Sequence, residues 1–243
     1  FQDIFKDWLV ANYLDSPWLE EGRYGYRDLH VGVSLDRIHF IYPAHHADTV
    51  HQYAADYIGL RPLGAFMRVW FDGADTVKLV GNDPHSGRYQ WWSNRGDVSN
   101  TTLTRSFDLS GLEKATLSCW LWYDLEEDYD YAYIEISTDG GETWHTLSGR
   151  HTTITNPAGS NFGHGYTGKS GGGEAPLWVE ERIDLTPYVG GEVLLRFEMV
   201  TDDSYNGPGL CIDDIAIPEL GYSYDAEDEG GWLAAGFIHT DNV

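Results

Sequence analysis

The sequence predicts a mostly β protein, a two-sheet antiparallel jelly-roll sandwich preceded by a short N-terminal helical segment. Residues 131–137 alternate apolar and polar side chains, which is typical of a half-buried strand. Residues 116–123 carry apolar side chains on both faces, which indicates a central, covered strand. Phe107-Asp108-Leu109-Ser110 and Ile183-Asp184-Leu185-Thr186 each precede a strand pattern, and this pairing favours two packed sheets.

The chain opens with a helical pattern. Within residues 1–15, apolar side chains recur at helical spacing, so we predict an amphipathic helix that ends by Pro17. Residues 16–47 read as an irregular connection. We therefore assign residues 1–47 to a helical remnant with a linker.

Strand patterns follow, separated by Gly, Pro and Asp turns. The early ones are 53–60, 66–73 and 76–81, and the later ones, besides those named above, are 101–109, 193–200 and 209–217. We assign residues 48–220 to the sandwich. After Pro218, residues 221–243 read as the opening strand of a further module or as a strand that adds to a second subunit, with Trp232 and Phe237 as its contacts.

Composition limits the function classes. The 243 residues carry a formal charge of −24, which repels nucleic acid and anionic membranes and favours cations as partners. No apolar run approaches the length of a membrane helix, so we expect no membrane insertion. Because the chain starts with Phe inside a helical pattern, we expect a piece of a longer secreted protein.

The two cysteines, Cys119 and Cys211, each lie in a predicted strand among apolar residues. Two interpretations remain open, a pair of buried thiols and a disulfide between neighbouring strands. We predict the disulfide, because an extracellular setting permits it.

Acidic side chains cluster at predicted strand ends. The corner at 124–130 holds five carboxylates in seven residues, and further acids stand at 202–203 and in the strand 209–217. Crowded carboxylates repel one another unless a cation offsets them, and Ca²⁺ takes six to eight oxygen ligands. The alternative is a solvated acidic rim without an ion. We predict a calcium site whose ligands are Asp97, Glu126, Asp128, Asp130, Asp213 and Asp214.

Catalytic motifs are missing from this sequence. No His is followed by Glu, so the H-E-x-x-H zinc motif does not occur, and we predict neither zinc nor a catalytic residue in this chain. Residues 163–170 fit the phosphate-loop letters, but neither the preceding strand nor the following helix that such a loop requires is predicted.

Several ordered motifs resemble a known family. They are WWSNRGDVSNTTLTRSFDLSG, ATLSCWLWYDLEEDYDYAYIEISTDGGETW, GYTGKSGG, VTDDSYNGPGLCIDDIAIPE and YDAEDEGGWLAAGF. Over about residues 89–237 the chain resembles the non-catalytic C-terminal region of secreted immune inhibitor A-type metallopeptidases, whose jelly-roll module is similar to MAM domains. The opening FQDIFKDWLVANYLD and GRYGYRDL resemble the tail of the helical subdomain of such peptidases.

The resemblance implies a secreted, calcium-assisted sandwich whose parent is a zinc endopeptidase. We expect an accessory module that serves stability or binds a surface or substrate, with the parent peptidase domain as its partner. A first alternative is an extracellular structural subunit, such as a filament or surface-layer protein, that assembles with identical subunits by strand addition. A second alternative is a polysaccharide-binding module that uses Trp91, Trp92, Trp120 or Trp178 as stacking platforms.

Overall fold

The structure, a computed structural model, describes residues 2–50 and 54–243, in two compact units. The units are residues 1–73 and residues 74–243. The first residues of two predicted elements, the helix at Phe1 and the strand at Tyr53, lie outside the described residues. Among the described residues, no helix has both the length and the apolar character needed to cross a membrane.

The first unit contains one helix and a small sheet. Helix α1 spans Gln2–Leu14, which confirms the predicted helical segment. Strands β1 (Arg37–His39) and β2 (Ile58–Leu60) pair in parallel. The predicted strand at 66–73 is wrong for the structure as described, because its backbone has no partner strand and stays irregular.

The second unit is the predicted sandwich. Its strands are β3 (Gln90–Trp92), β4 (Asn100–Asp108), β5 (Thr116–Asp124), β6 (Tyr131–Ser137), β7 (His145–Thr146), β8 (Gly165–Tyr166), β9 (Val179–Asp184), β10 (Glu192–Val200), β11 (Gly209–Ile217), β12 (Tyr222–Tyr224), β13 (Leu233–Ala235) and β14 (Ile238–Thr240). The predicted strand at 76–81 does not form.

Two antiparallel sheets face each other. One has the order β13-β4-β10-β6-β7, with β8 beside β6, and the other has the order β14-β3-β11-β5-β9, with β12 beside β11. The long strands alternate between the sheets along the chain, from β3 to β6 and again from β9 to β11. This arrangement confirms the predicted mostly β, two-sheet fold.

The core lies between the sheets, where the alternation of the sequence places it. Strand β10 contributes Val193, Leu195, Phe197 and Met199, and every second residue of β5 from Leu117 to Tyr123 does the same. Burying one such side chain contributes about 1.5 to 3 kcal/mol.

A bulge in β11 reverses this alternation. Asp213 lies opposite Trp120, but Ala216 lies opposite Ser118, so β11 uses one more residue than β5 between these pairs. Asp214 takes up the extra residue with a φ of 46°. Ile212 and Ile215 therefore both point into the core although they are three residues apart.

The bulge explains why the predicted disulfide is wrong. Both cysteines are buried free thiols. Cys119 packs in the core between the sheets, whereas Cys211 packs on the outer face of its sheet with Val80, Trp92 and Trp122. Reading β11 as one unbroken alternation puts Cys211 on the face of Ile215, and the bulge makes that assignment incorrect.

The C-terminal segment also needs a correction. Residues 221–243 complete their own sandwich, because β12 pairs with β11, β13 with β4, and β14 with β3. Trp232 and Phe237, predicted as contacts to another subunit, are 4% and 6% exposed in the core. The sandwich unit therefore runs from 74 to 243 rather than from 48 to 220.

Candidate metal centre

The ends of β4, β6 and β10 meet on one side of the sheet β13-β4-β10-β6-β7. Val200, the last residue of β10, lies opposite Asn100 of β4 and opposite Tyr131 of β6. The residues just beyond these positions, around 97, 130 and 202, therefore come together although the sequence separates them widely. All three of these positions are aspartates.

Three carboxylates from this region form a compact group. Glu126, Asp130 and Asp202 each place one oxygen within 4.8 Å of the others. Two of these side chains have a buried oxygen without a hydrogen-bond partner, Glu126 Oε2 and Asp130 Oδ2. Oxygen atoms in this arrangement are suited to a hard cation, because the cation would satisfy both orphaned oxygens.

Asp130 is the most deeply placed member of the group. Its side chain is 1% exposed, and its Oδ1 accepts a hydrogen bond from the backbone N–H of Asp202 at 3.0 Å. Burial raises the pKa of Asp130 to about 6, and the charges of Asp202, Glu126 and Asp97 add to this rise against the opposing hydrogen bond. The carboxylate is therefore costly to ionise without a cation nearby.

The turn at 126–130 is braced by Thr167, which directly follows β8. The Thr167 hydroxyl donates to the carbonyl oxygen of Glu126 at 3.2 Å and accepts from the backbone N–H of Asp128 at 2.9 Å. Asp128 has a φ of 70°, the left-handed conformation that closes this turn. Its carboxylate is not part of the group of three, so the structure gives Asp128 a role in the turn rather than a place among the meeting ligands.

Asp97 lies beside the group rather than in it. Its Oδ1 accepts a hydrogen bond from Asn206 Nδ2 at 2.5 Å, and its side chain is exposed. Its negative charge nonetheless contributes to the raised pKa of Asp130. The carbonyl oxygen of Asp202 accepts from the backbone N–H of Val98 at 2.6 Å, which ties this loop to the site.

Asp213 and Asp214 belong to a different part of the sandwich. Asp213 lies opposite Trp120, four residues along β5 from the corner at Asp124, which is about 13 Å at the rise of a strand. The prediction that both groups form one calcium site is therefore corrected: only Glu126 and Asp130 of the six predicted ligands meet, and Asp202 joins them.

These two aspartates hold a loop instead. Asp213 accepts from the backbone N–H of Ser86 at 3.1 Å, and Asp214 accepts from the Ser86 hydroxyl at 2.8 Å and contacts His85 Nδ1 at 2.6 Å. Burial raises the pKa of Asp213 to about 6, while the backbone N–H groups of Ser86 and Asp214 oppose the rise.

Sequence reasoning counted Asp202 among the acidic groups but did not choose it as a ligand. Asp202 lies two residues beyond the strand pattern 193–200, and Asp130 directly precedes the strand pattern 131–137. These two strands are neighbours in the sheet, which brings the two aspartates together. Strand register, which the sequence did not supply, is what connects the two.

None of the four tryptophans predicted as stacking platforms has a fully exposed ring. Trp91 and Trp92 are buried, and the ring of Trp120 stacks against His85 with 3.8 Å between centroids. Trp178 is partly buried and donates its indole N–H to the carbonyl oxygen of Asp83 at 2.8 Å. A bound sugar needs an exposed ring, so none of these four predicted residues favours the polysaccharide-binding alternative.

The sandwich has known relatives. A stretch of 140 residues, 58% of this chain, is 30% identical to 14% of the pre-pro-metalloprotease PrtV of Vibrio cholerae serotype O1. A stretch of 159 residues, 64% of this chain, is 28% identical to 21% of immune inhibitor A of Bacillus thuringiensis subsp. alesti. A stretch of 98 residues is 29% identical to 5% of bacillopeptidase F of Bacillus subtilis.

The chain thus spans less than a quarter of the length of the relatives that it matches. The family described as "Immune inhibitor A-like, MAM domain" matches residues 66–242, which contain every strand of the sandwich. This protein chain belongs to the immune inhibitor A-like MAM domain family.

Proposed function

We propose that this chain is a non-catalytic accessory domain of a secreted zinc metallopeptidase, and that a calcium ion stabilises its sandwich. The family match and the name of the Vibrio relative, a metalloprotease, support the first part. The relatives are several times longer than this chain, which supports a peptidase domain elsewhere in the same polypeptide. Secretion to the cell exterior is part of the same proposal.

The single observation that carries the calcium proposal is the pair of orphaned oxygens. Asp130 Oδ2 and Glu126 Oε2 are buried without a partner, and a carboxylate oxygen of Asp202 lies in the same group. Leaving such an oxygen unpaired costs about 1 to 3 kcal/mol or more for a charged group. Calcium accepts carboxylate oxygens in flexible geometry, so these three residues would hold it and its charge would remove the penalty.

Three of the five histidines of the sandwich are engaged in contacts within the domain. His85 contacts Asp214, His151 contacts Glu181 at 3.2 Å, and His239 contacts the carbonyl oxygen of Ala226 at 2.6 Å. These contacts are structural pairs on separate elements. Together with the missing H-E-x-x-H motif they favour an accessory role over a catalytic one.

The test uses the complete product of the gene that encodes this chain. We expect it to hydrolyse casein and to lose this activity with the zinc chelator 1,10-phenanthroline. The variant Asp130→Asn should keep kcat/KM within about twofold at low temperature. Calcium should lengthen the half-life of activity at elevated temperature several-fold in the wild type and much less in the variant, because the variant lacks a ligand of the metal centre.

Two results would contradict this function. A gene product without peptidase activity refutes the accessory role. An Asp130→Asn variant whose thermal half-life calcium lengthens by the same factor as that of the wild type refutes the stabilising role of the metal centre.

A further inference from the structure

The first unit has almost no core of its own. Among its described residues, 2–50 and 54–73, only Ala11 and Asn12 are buried. The described residues of this unit expose 19 large apolar side chains, whereas the sandwich, more than twice as long, exposes 11. Exposed apolar surface on this scale marks an interaction site.

Its small sheet points the same way. Strands β1 and β2 form a parallel pair of three residues each, and within the described residues neither has a second neighbour. Parallel sheets are normally covered by other elements on both faces, and a two-stranded sheet is marginal alone. The unit therefore needs a protein partner that supplies packed secondary structure.

Residues 61–73, RPLGAFMRVWFDG, are the most exposed apolar part of this unit. Phe66, Trp70 and Phe71 are 97%, 88% and 88% exposed. In an extended segment Phe66 and Trp70 share one face, while Val69 and Phe71 share the other. Apolar residues on both faces are typical of a strand that is covered on both sides, yet this segment has no partner strand in the structure.

The area at stake suits a permanent interface. Three aromatic side chains bury on the order of 500 Å², a large part of the roughly 800 Å² per partner of a stable interface. The described part of this unit buries only two residues, so its folded state depends on a bound partner. That partner must therefore be present whenever the unit is folded. A domain of the same polypeptide meets this condition, and the relatives are several times longer than this chain.

We propose that residues 61–73 dock onto the peptidase domain of the same polypeptide, with Phe66, Trp70 and Phe71 as the buried contacts. This inference rests on the proposed function, because the peptidase domain onto which the segment docks is part of that proposal. The segment pairs or packs there as the covered strand that its sequence encodes. The unit containing it then joins the peptidase portion to the sandwich.

Hydrogen exchange with mass spectrometry tests the proposal on two proteins, the complete gene product and the chain of residues 1–243. We expect amides of 61–73 to exchange at least about tenfold more slowly in the complete protein. Amides of β6 should exchange at the same rate in both and serve as the internal control. Equal rates for 61–73 in both proteins overturn the proposal.

Variants sharpen the result. Trp70→Asp should abolish the protection of 61–73 in the complete protein, whereas Ile154→Asp, at an exposed apolar position in a loop of the sandwich, should leave it unchanged. In the chain of residues 1–243, Trp70→Asp should leave the melting temperature of the sandwich unchanged. If instead 61–73 becomes protected in this chain as its concentration and oligomeric size rise, the occupant is a second copy and the proposal fails.

The peptidase activity of the same preparation separates the two levels of inference. An active metallopeptidase in which 61–73 exchange freely overturns the docking surface alone. A complete gene product without peptidase activity overturns the proposed function together with this occupant.

Discussion

The substitution Asp130→Asn should stabilise the sandwich in the absence of calcium, which is unusual for a change at a buried site. Asparagine keeps the oxygen that accepts the N–H of Asp202 and removes a charge that burial makes costly. The wild-type group has a pKa of about 6 in the folded chain, against an ordinary value of 3.8. The variant has nothing to titrate at this position.

The sign and size of this change in stability follow from the linkage between proton binding and folding. Because the folded chain holds the proton of Asp130 more tightly than the unfolded chain, the wild type loses stability as pH rises from about 4 to 6. The difference of about two pKa units corresponds to at most about 3 kcal/mol above pH 6. For a unit of this size, that free energy shifts the melting temperature by about 6 to 12 °C.

Calcium should remove most of the difference in stability between the two proteins, because it stabilises the wild type more than the variant. Extracellular calcium modules bind with dissociation constants of about 0.1 to 1 mM. At 10 mM calcium, a site at the tight end of this range gains about 2.7 kcal/mol in the wild type. The variant, which lacks the central carboxylate, should gain little.

The assay is differential scanning calorimetry of the chain at pH 4.5 and 7.5, in EDTA and in 10 mM calcium. Asp75→Asn, at an exposed position, controls for the loss of one negative charge and should respond like the wild type. The reasoning is refuted if Asp130→Asn melts below the wild type in EDTA at pH 7.5. It is equally refuted if both proteins gain the same number of degrees from calcium.

Two further outcomes follow from the corrected fold. Alkylation of the unreduced, denatured chain should add two labels to its intact mass, because Cys119 and Cys211 are free, and a mass without labels contradicts their placement on opposite faces. Trp232→Ala should lower the free energy of unfolding in urea by about 3 to 5 kcal/mol, as expected for a buried aromatic residue, whereas Leu233→Ala next to it, 74% exposed, should cost less than about 1 kcal/mol. Equal effects at the two positions would contradict the burial of Trp232.

Two strands of the sandwich were predictable from their apolar residues. The pattern at 131–137 gives β6 with its bounds, and 209–217 gives β11 with its bounds. The patterns at 66–73 and 76–81 failed because apolar composition favours a strand only where a partner supplies hydrogen bonds, and a single sequence does not say where the partner is. The same limit applied to residues 221–243, whose partners β3 and β4 lie more than a hundred residues earlier.

The candidate site was predictable in its chemistry and location but not in its membership. The acidic corner at 124–130 contains two of the three residues that meet, Glu126 and Asp130. Asp202 joins through the register between β6 and β10, which depends on the whole sheet. Asp213 and Asp214 were misassigned because a bulge turns their side chains toward the loop at 85–86, and bulges leave little trace in a sequence.

The acids of this chain fall into two physical classes, and the distinction decides where a cation is needed. Asp213 and Glu181 are fully buried, yet backbone N–H groups satisfy their carboxylates: Ser86 and Asp214 donate to the first, and Arg150, His151 and Arg182 donate to the second. Such carboxylates need no metal, because the backbone dipoles offset their charge. Asp130 has one N–H donor and one orphaned buried oxygen, with a second orphaned oxygen on Glu126 in the same group. A net charge of −24 alone therefore says little about calcium, whereas the local shortage of donors at this single edge of the sheet is a specific reason to expect it there.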